Sequence, residues 1–534
     1  MKIETLSCAR ADEIKNKFNL SNLCAKVLAS KQIDDEEISA LLAPPELADP
    51  LKAKGMQEVL NRIYQAKINH EKVMVCGDYD ADGICSTAIL VDALKKYGVQ
   101  CGFYIPNRFE EGYGLHAHTV ELAYQKGYRL LITVDNGVKA FDALLKAQEL
   151  KMDVIVTDHH SYEEEIPCLL LLHPFVMGDP FETLSGAGVA LEIARGLIGE
   201  VKDHVVLACV AAIADVMPLR KETRAIVKLG ISYLKQGCCA PIRMLANDRY
   251  PIWDETLIAF QIVPKLNVTG RLADMVNVNN TVRYLLLDSL EEIQHVAKQI
   301  TQLNDTRKDM SEKMLVKAKT LVHDEYQFQL LFDQSFHEGM AGLVAGKLAE
   351  ELQMPVMVAA ASKEGFKGSI RSGGLLDLTT FFDELKPNLS SYGGHKAAAG
   401  IGFAFDQKQN LQDYVNQRME QVSFNREMSY QVISLTQDEI NLSEVESLQV
   451  LAPFGEGFDE PLFLLEKQQV QACRNLGKGA HTKWLFSDTF EALQFHSKEW
   501  ENFDEHRLLS FIGTLRINHF MGKKKINLYV NEVF

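Results

Sequence analysis

The stretch VMVCGDYDADGICS, Val73 to Ser86, places Asp78, Asp80 and Asp82 at alternating positions behind an apolar run and ahead of a glycine. Carboxylates this close repel one another and call for positive charge. Three more clusters follow along the chain: Asp135 in TVDNG, Asp158, His159 and His160 in VTDHH, and Asp215 in AIADVMP. Each closes an apolar segment. Oxygen donors with one or two imidazoles suit manganese or magnesium. Two such ions about 3.5–4 Å apart can clamp a phosphoryl group and acidify an attacking water. Singly, each cluster has a plainer reading. An Asp-x-Asp behind a strand is usually a turn or a helix cap, and Asp-Asn-Gly is a common turn. The four together, in this order and each expected at a strand end, read as one site for a pair of divalent ions.

The elements around these residues must bring them to one place. From about residue 70, short apolar runs alternate with helical ones: KVMVCG, VQCGFYIP, RLLITVDNG and MDVIVTDHH as strands, with STAILVDALKKYG, HTVELAYQKG and KAFDALLKAQEL as helices. That alternation predicts an α/β domain with a parallel sheet, whose strand C-termini share the edge where ligands bind. HVVLACVAAIADVMPL is a buried helix or strand, and periodicity does not decide between them. From Leu272 to Glu338 there is neither glycine nor proline, and Ile293, Val296, Ile300 and Leu303 recur at helical spacing. A long connecting helix is expected there. A second, smaller α/β segment runs from FQLLFDQSF to about Phe405. A third begins near Tyr430 and ends in short strand-like pieces, which predicts a small β-barrel or sandwich.

The set DYDADG, VDNG, TDHH and ADVMPL resembles motifs I to IV of the DHH phosphoesterase superfamily. Spacing and length resemble its RecJ branch, the single-strand-specific 5′ exonucleases of bacteria. The resemblance covers about residue 50 to the end. It implies metal ligands at Asp78, Asp80, Asp82, His159 and Asp215, with Asp135 bridging two ions, Mn²⁺ or Mg²⁺. It makes Asp158 a ligand or a supporting partner and turns His160 toward the scissile phosphate, where Arg371 joins it in offsetting charge. The implied domains are an N-terminal extension (1–50), the DHH catalytic domain (51–290), a connecting helix (291–325), a DHHA1 substrate-binding domain (326–425) and an OB-type nucleic-acid-binding domain (426–534).

Within the second segment, GSIRSGG and SYGGHKAAAG supply glycines that let backbone N–H groups approach an anion. Arg371 offers a fork for phosphate, and Ser369 and Ser372 offer hydroxyls. Tight turns are the plain alternative. By resemblance these loops bind substrate, with Gly394 and His395 at the cleft. The loop IPNRFEEGYG adds Arg108 and Tyr113, which the family places by the 5′ phosphate and first base. PKLNVTGRLAD resembles an Asn-Ala-Ala-Gly-Arg element and keeps Arg271, with Val268 and Thr269 in place of the alanines. In the tail, Lys478, His481, Lys483 and Lys523 to Lys525 could line a strand-binding groove, and Phe458 stands where the family usually has Asn.

Net charge is −16, which by itself disfavours a nucleic-acid binder. The charge is uneven, however: Lys467 to Phe534 carries 10 Lys+Arg against 7 Asp+Glu. Ten cysteines with no C-x-x-C pair suggest buried thiols rather than a disulfide framework or zinc knuckle. No apolar run reaches the roughly 18 residues of a membrane span, and a cytoplasmic monomer is expected. The function expected is a metal-dependent 5′-to-3′ exonuclease that hydrolyses single-stranded DNA to mononucleotides in repair and recombination. A single-strand-binding protein and a RecQ-type helicase are expected partners. Two alternatives stand beside it: a DHH phosphodiesterase of oligoribonucleotides or cyclic dinucleotides, and a catalytically inactive replication scaffold that binds single strands.

Overall fold

The computed structural model describes residues 1–247, 252–363, 365–422, 429–476, 481–495, 497, 507–520 and 523–534. The chain forms two compact units. One comprises Met1–Leu47, Pro218–Lys228 and Glu427–Phe534; the other comprises Ala48–Met217 and Leu229–Arg426. After a short N-terminal strand, β1 (Lys2–Thr5), come the five strands of the catalytic sheet: β2 (Lys72–Cys76), β3 (Cys101–Tyr104), β4 (Tyr128–Val134), β5 (Asp153–Thr157) and β6 (Leu170–Leu172). Their order is β3-β2-β4-β5-β6, and every ladder is parallel. The runs VMVC, LLITV and VIVT are apolar on both faces because helices cover both faces of such a sheet. From β2 the chain leaves to one side for β3 and returns to the other for β4. The crevice beyond the carboxyl ends of β2 and β4 is therefore the topological switch point.

HVVLACVAAIA resolves as a helix, Lys202–Ala214, which packs against the helix Ala81–Tyr97 that follows β2. Every residue from His204 to Ala212 is buried. All-round burial removes the amphipathic period by which sequence separates helix from strand. Asp215 thus arrives from a helix C-terminus, not from the expected strand end.

The connecting helix spans Leu290–Lys319, N-capped by Ser289. Beyond it, β7 (Gln329–Asp333), β8 (Val356–Ala361), β9 (Phe366–Arg371), β10 (Ser391–Gly394) and β11 (Ala398–Phe403) form a mixed sheet in the order β10-β11-β9-β8-β7. Only β7 and β8 run parallel. The helix Glu338–Leu352 lies on β8 and β9.

In the other unit, β12 (Ser429–Leu435), β13 (Phe463–Gln469), β14 (Ala472–Leu476), β15 (His481–Leu485), β16 (Phe490–Phe495), β17 (Leu508–Phe520) and β18 (Lys523–Val533) join β1 in one sheet, ordered β1-β12-β13-β17-β18-β16-β15-β14. This is the OB-like region; among the described residues its ladder is open between β1 and β14 rather than closed as a barrel. Residues 1–47 are part of its core. Ile14, Leu23, Val27 and Leu28 pack in one cluster with Phe463, Trp484 and Phe511. Arg224, 7% exposed, donates to the carbonyls of Leu451 (2.6 Å) and Pro453 (2.8 Å). Phe458 sits under two cations, Arg224 at 4.8 Å and Lys31 at 5.5 Å from its ring centroid, and stacks on Phe454. An asparagine could not provide that apolar face.

Candidate metal centre and phosphate cleft

The loop after β2 sets the site. Asp80 N-caps the helix Ala81–Tyr97 by accepting from the Gly83 N–H at 3.0 Å, and Gly98 closes that helix in the left-handed conformation. A Cβ on Gly83 would fall 2.5 Å from the Asp78 carbonyl, so only glycine lets the loop fold this tightly. The loop is held from outside by the Asn-x-x-Gly-Arg element. Asn267 Oδ1 accepts from the Ala81 N–H at 2.7 Å, and a Cβ on Gly270 would meet the Tyr79 carbonyl at 2.4 Å. Val268 and Thr269 are buried there, the Thr269 hydroxyl 2.8 Å from that of Thr281.

Asp82 is 2% exposed and its carboxylate is already engaged. It accepts from the N–H groups of Gly186 (2.8 Å) and Ala187 (2.7 Å) and from the Ser185 hydroxyl (3.1 Å), at the start of the helix Gly186–Ile198. Gly186 is required because Asp135 presses on it, with a Cβ there 2.5 Å from that of Asp135. Asp135 itself has φ +61°, a conformation that costs most side chains energy and that Asp tolerates. Asn136 pins this turn, donating to the carbonyls of Cys76 (3.1 Å) and Val134 (2.9 Å), so that the ends of β2 and β4 stay together. Sequence reading missed Ser185, Gly186, Ala187, Asn136 and Asn267. The Ser-Gly-Ala-Gly run at a helix start was the available signal.

His159 Nε2 lies 3.1 Å from Asp135 Oδ1, 3.3 Å from Asp215 Oδ2 and 3.7 Å from Asp82 Oδ2. Donor atoms of Asp78, Asp80 and Asp135 lie within 4.8 Å of one another, and so do those of Asp82, His159 and Asp215. Asp78 Oδ1, Asp135 Oδ1 and His159 Nε2 are buried without hydrogen-bond partners. Burial and neighbouring carboxylates hold Asp78 and Asp135 well above the usual carboxylate range, and push Asp215 up to about 8. Burial holds His159 below the usual imidazole range, and neutral imidazole is the form that ligates. Buried oxygen donors that repel each other, one neutral imidazole and three unpartnered atoms fit hard divalent cations.

Asp158 is not a donor in either triad. Its Oδ1 accepts from the N–H groups of His159 (2.8 Å) and His160 (3.1 Å) and from His160 Nδ1 (2.7 Å), and its Oδ2 accepts from Val138 N–H (3.0 Å). Burial opposes its ionisation, but these donors outweigh burial and hold Asp158 below the usual range. Burial likewise opposes the imidazolium of His160, and Asp158 outweighs it, raising the His160 pKa. Tyr113 packs edge-on against His160 and donates to the Asp135 carbonyl at 3.0 Å. His173, fully buried, reaches the His160 carbonyl through Nε2 at 3.0 Å.

Beside the acidic crevice is a cluster of arginines. Burial, then Arg108, Arg307 and Arg371, push Arg271 down to about 10. Burial and Arg108 lower Arg371. Arg108 lies over the Tyr79 ring at 5.0 Å. The Arg371 guanidinium and Ser369 hydroxyl face Gly342, where a Cβ would stand 3.0 and 3.4 Å from them. Ser372 is different: it is fully buried, and its hydroxyl accepts from the Gly374 N–H at 3.2 Å within a turn, so it holds the loop rather than the cleft. Gly394 and His395 lie exposed at the tip of the β10–β11 hairpin.

The expected tail groove is altered by pairing. Lys483 and Lys525 both reach Glu491, at 2.8 and 3.4 Å, and Lys524 reaches Glu446 at 2.6 Å. Paired in this way they are less free for a strand than the sequence suggests, though two carboxylates balance only two of the three charges. Lys478 lies outside the described residues.

Family models match the DHH family N-terminal domain at residues 72–217, the DHHA1 domain at 323–421 and the RecJ OB domain at 433–532. The chain is 31% identical to the single-stranded-DNA-specific exonuclease RecJ of Bacillus subtilis, over 98% of this chain and 69% of that protein. It is 30% identical to that of Haemophilus influenzae, over 93% of each. The crystal structure of RecJ in complex with Mn²⁺ from Thermus thermophilus superposes over all of this chain and 79% of its own, with a TM-score of 0.86 at 26% identity. A crystal structure of exonuclease RecJ bound to manganese matches 71% of this chain and 97% of its own, at 31% identity and a TM-score of 0.63.

Proposed function

The chain belongs to the RecJ family of single-stranded-DNA-specific exonucleases, and from that premise we propose that it removes mononucleotides from the 5′ end of single-stranded DNA with two divalent ions. The observation that carries this reading is the pair of donor triads meeting at Asp135 and His159, beside a cluster of arginines. Asp78, Asp80 and Asp135 would hold one ion, and Asp82, His159 and Asp215 the other. When bound, the ions supply charge neutralisation at the scissile phosphate and acidify the attacking water. Ser185 and the Gly186 and Ala187 N–H groups fix the Asp82 carboxylate. Asp158 accepts the Nδ1–H of His160, which leaves Nε2–H to donate to a phosphate oxygen as charge develops there. Tyr113 keeps the ring in place, and His173 holds the backbone carbonyl of His160.

Polarity follows from charge placement. Arg108, Arg371, Ser369 and Arg271 form a seat for a terminal phosphate at the head of the crevice, and the exposed β10–β11 hairpin, with Gly394 and His395, lies along the strand. A duplex end offers no free strand to enter such a cleft. The OB-like unit is a further single-strand-binding module of the same chain. We assign the chain to the cytoplasm as a monomer that receives its strand from a single-strand-binding protein and a RecQ-type helicase. Among the described residues no helix is long and apolar enough to cross a membrane. The test is hydrolysis of a 3′-labelled, 5′-phosphorylated single strand with Mn²⁺. Stepwise shortening with release of 5′ mononucleotides is expected. Loss of the label first, or equal attack on blunt duplex, would refute the reading.

A further inference from the structure

The run FHEGMAGLVAGKL opens the helix Glu338–Leu352, and His337 caps it. His337 Nδ1 accepts from the Gly339 N–H at 3.1 Å. An accepting Nδ1 leaves the ring proton on Nε2, and that nitrogen stands 3.3 Å from both carboxylate oxygens of Asp274. One imidazole thus starts a helix of the DHHA1 domain and donates to Asp274, which lies just past Arg271 in the segment that holds the Asp78–Asp82 loop through Asn267. Beside it the two elements touch backbone to backbone. A Cβ on Gly339 would stand 1.9 Å from the Arg271 carbonyl.

A third piece joins them. Phe109 packs edge-on against the His337 ring, centroids 5.8 Å apart. Asn107 ties this loop to the same segment, donating to the Ala273 carbonyl at 3.0 Å and accepting from the Phe109 N–H at 2.9 Å. Further along the loop, Arg108 lies over Tyr79 and Tyr113 packs on His160. His337 is therefore where the loop beside the metal centre, the segment supporting that centre and the first helix of the DHHA1 domain meet. That helix lies on β8 and β9, and its Gly342 faces Ser369 and Arg371. The position of its start decides how far those two stand from the acidic crevice. Asp274 is 48% exposed and His337 22%, and a contact so open to water contributes little to holding a fold together. It can bias a position and still release.

We infer that His337 and Asp274 form a latch that sets the width of the cleft, and with it the exclusion of duplex, His337 acting as a positioning residue. Closed, the latch keeps the wall that carries Ser369 and Arg371 against the acidic crevice, with room for one strand. Released, that wall gains freedom and a second strand is excluded less strictly. The inference rests on the single-strand cleft of the proposed function and adds the residues that keep it narrow.

The test separates capping from latching. His337→Asn retains an oxygen that caps the Gly339 N–H, but it is too short to reach Asp274 and offers no ring to Phe109. Asp274→Ala leaves the cap untouched. Kinetics of the full chain with Mn²⁺ are compared on a 5′-phosphorylated single strand and on blunt duplex of the same sequence. Both variants should raise KM on the single strand about threefold at nearly constant kcat, the loss of one weak contact. With kcat/KM on duplex rising by a similar factor, discrimination should fall about tenfold. Asp274→Asn keeps an acceptor for Nε2–H and should recover most of it. Mn²⁺ affinity, read by calorimetric titration, should not move. Wild-type discrimination in Asp274→Ala and in folded His337→Asn would leave His337 a helix cap only and overturn the inference. A loss of Mn²⁺ affinity in step with activity would make the contact a support of the metal loop, which overturns it too. Should His337→Asn fail to fold, Asp274→Ala, at a half-exposed position, decides alone. Failure of the parent reading looks different: wild-type protein would itself hydrolyse duplex as fast as single strand.

Discussion

The acidic crevice and the arginine cluster are built by opposite means, though each gathers like charges against their own repulsion. The carboxylates Asp78, Asp80, Asp135 and Asp158 ride on the loops that end parallel strands, and Asp82 on the first turn of the helix that follows β2, so the sheet fixes their meeting place. Asp215 comes instead from the C-terminal end of a helix. The arginines come from a loop (Arg108), a short helix (Arg271), the connecting helix (Arg307) and a sheet strand (Arg371). One cluster is positioned by a single layer of backbone, the other by the packing of separate elements. The first should tolerate loss of charge and lose chemistry; the second should lose recognition and keep chemistry.

The largest expected effect separates those two roles. Asp135→Ala should lower turnover by at least about three orders of magnitude, because the several kcal/mol of transition-state stabilisation supplied through a shared ion would go. Affinity for a 5′-phosphorylated strand should survive. If that affinity disappears with turnover, the two clusters are not separable. Arg371→Ala is the converse. It should cost about 1.5–3 kcal/mol, seen mainly as a raised KM on 5′-phosphorylated ends and less on 5′-hydroxyl ends. An equal loss on both would move Arg371 to the scissile phosphate.

Ser185→Ala probes the support beneath the acids. It frees one of the three donors on Asp82, and Mn²⁺ affinity should fall about tenfold, at the lower end of what supporting contacts contribute. Calorimetric titration with unchanged affinity would show that the two backbone N–H groups suffice. The smallest effect is in stability. Asp78, Asp82, Asp135 and Asp215 have raised pKa values in the folded chain. With chelator, the folded state then holds protons that the unfolded state has released, so stability falls as pH rises. The fall begins near the ordinary carboxylate value of about 4 and extends to about 8, where Asp215 titrates. Mn²⁺ should reverse the slope by competing with those protons. A melting temperature that climbs over this range in chelator would contradict the repulsion described here.

Legibility in the sequence follows the same division. The catalytic sheet was readable because each strand is a short apolar run closed by a motif, and the acids inherit their position from that rule. The helix Lys202–Ala214 was ambiguous because it is apolar all round, and so the element that delivers Asp215 stayed open. Asn267 and Ser185 look like ordinary capping residues in sequence; that they hold the Asp78–Asp82 loop and the Asp82 carboxylate depends on approaches between segments roughly 100 to 190 residues apart. Arg307 sits in a charged helical run, LNDTRKDM, where nothing marks it as facing inward. The tail lysines look free in sequence, where GKKK advertises a charge that Glu446 and Glu491, far off in sequence, offset in part.

The shared core of residues 1–47 and the C-terminal strands has a consequence for synthesis. Ile14, Leu23 and Leu28 leave the ribosome before the catalytic unit, and Phe463, Trp484 and Phe511, against which they pack, leave after it. At about 5–20 residues per second, the wait is roughly 25–100 s. Meanwhile all of Ala48–Arg426 emerges and can close its own sheets. Nascent chains stalled near residue 430 should therefore carry a protease-resistant catalytic unit and a cleavable N-terminal segment, and holdase chaperones should find their binding site in the first 47 residues.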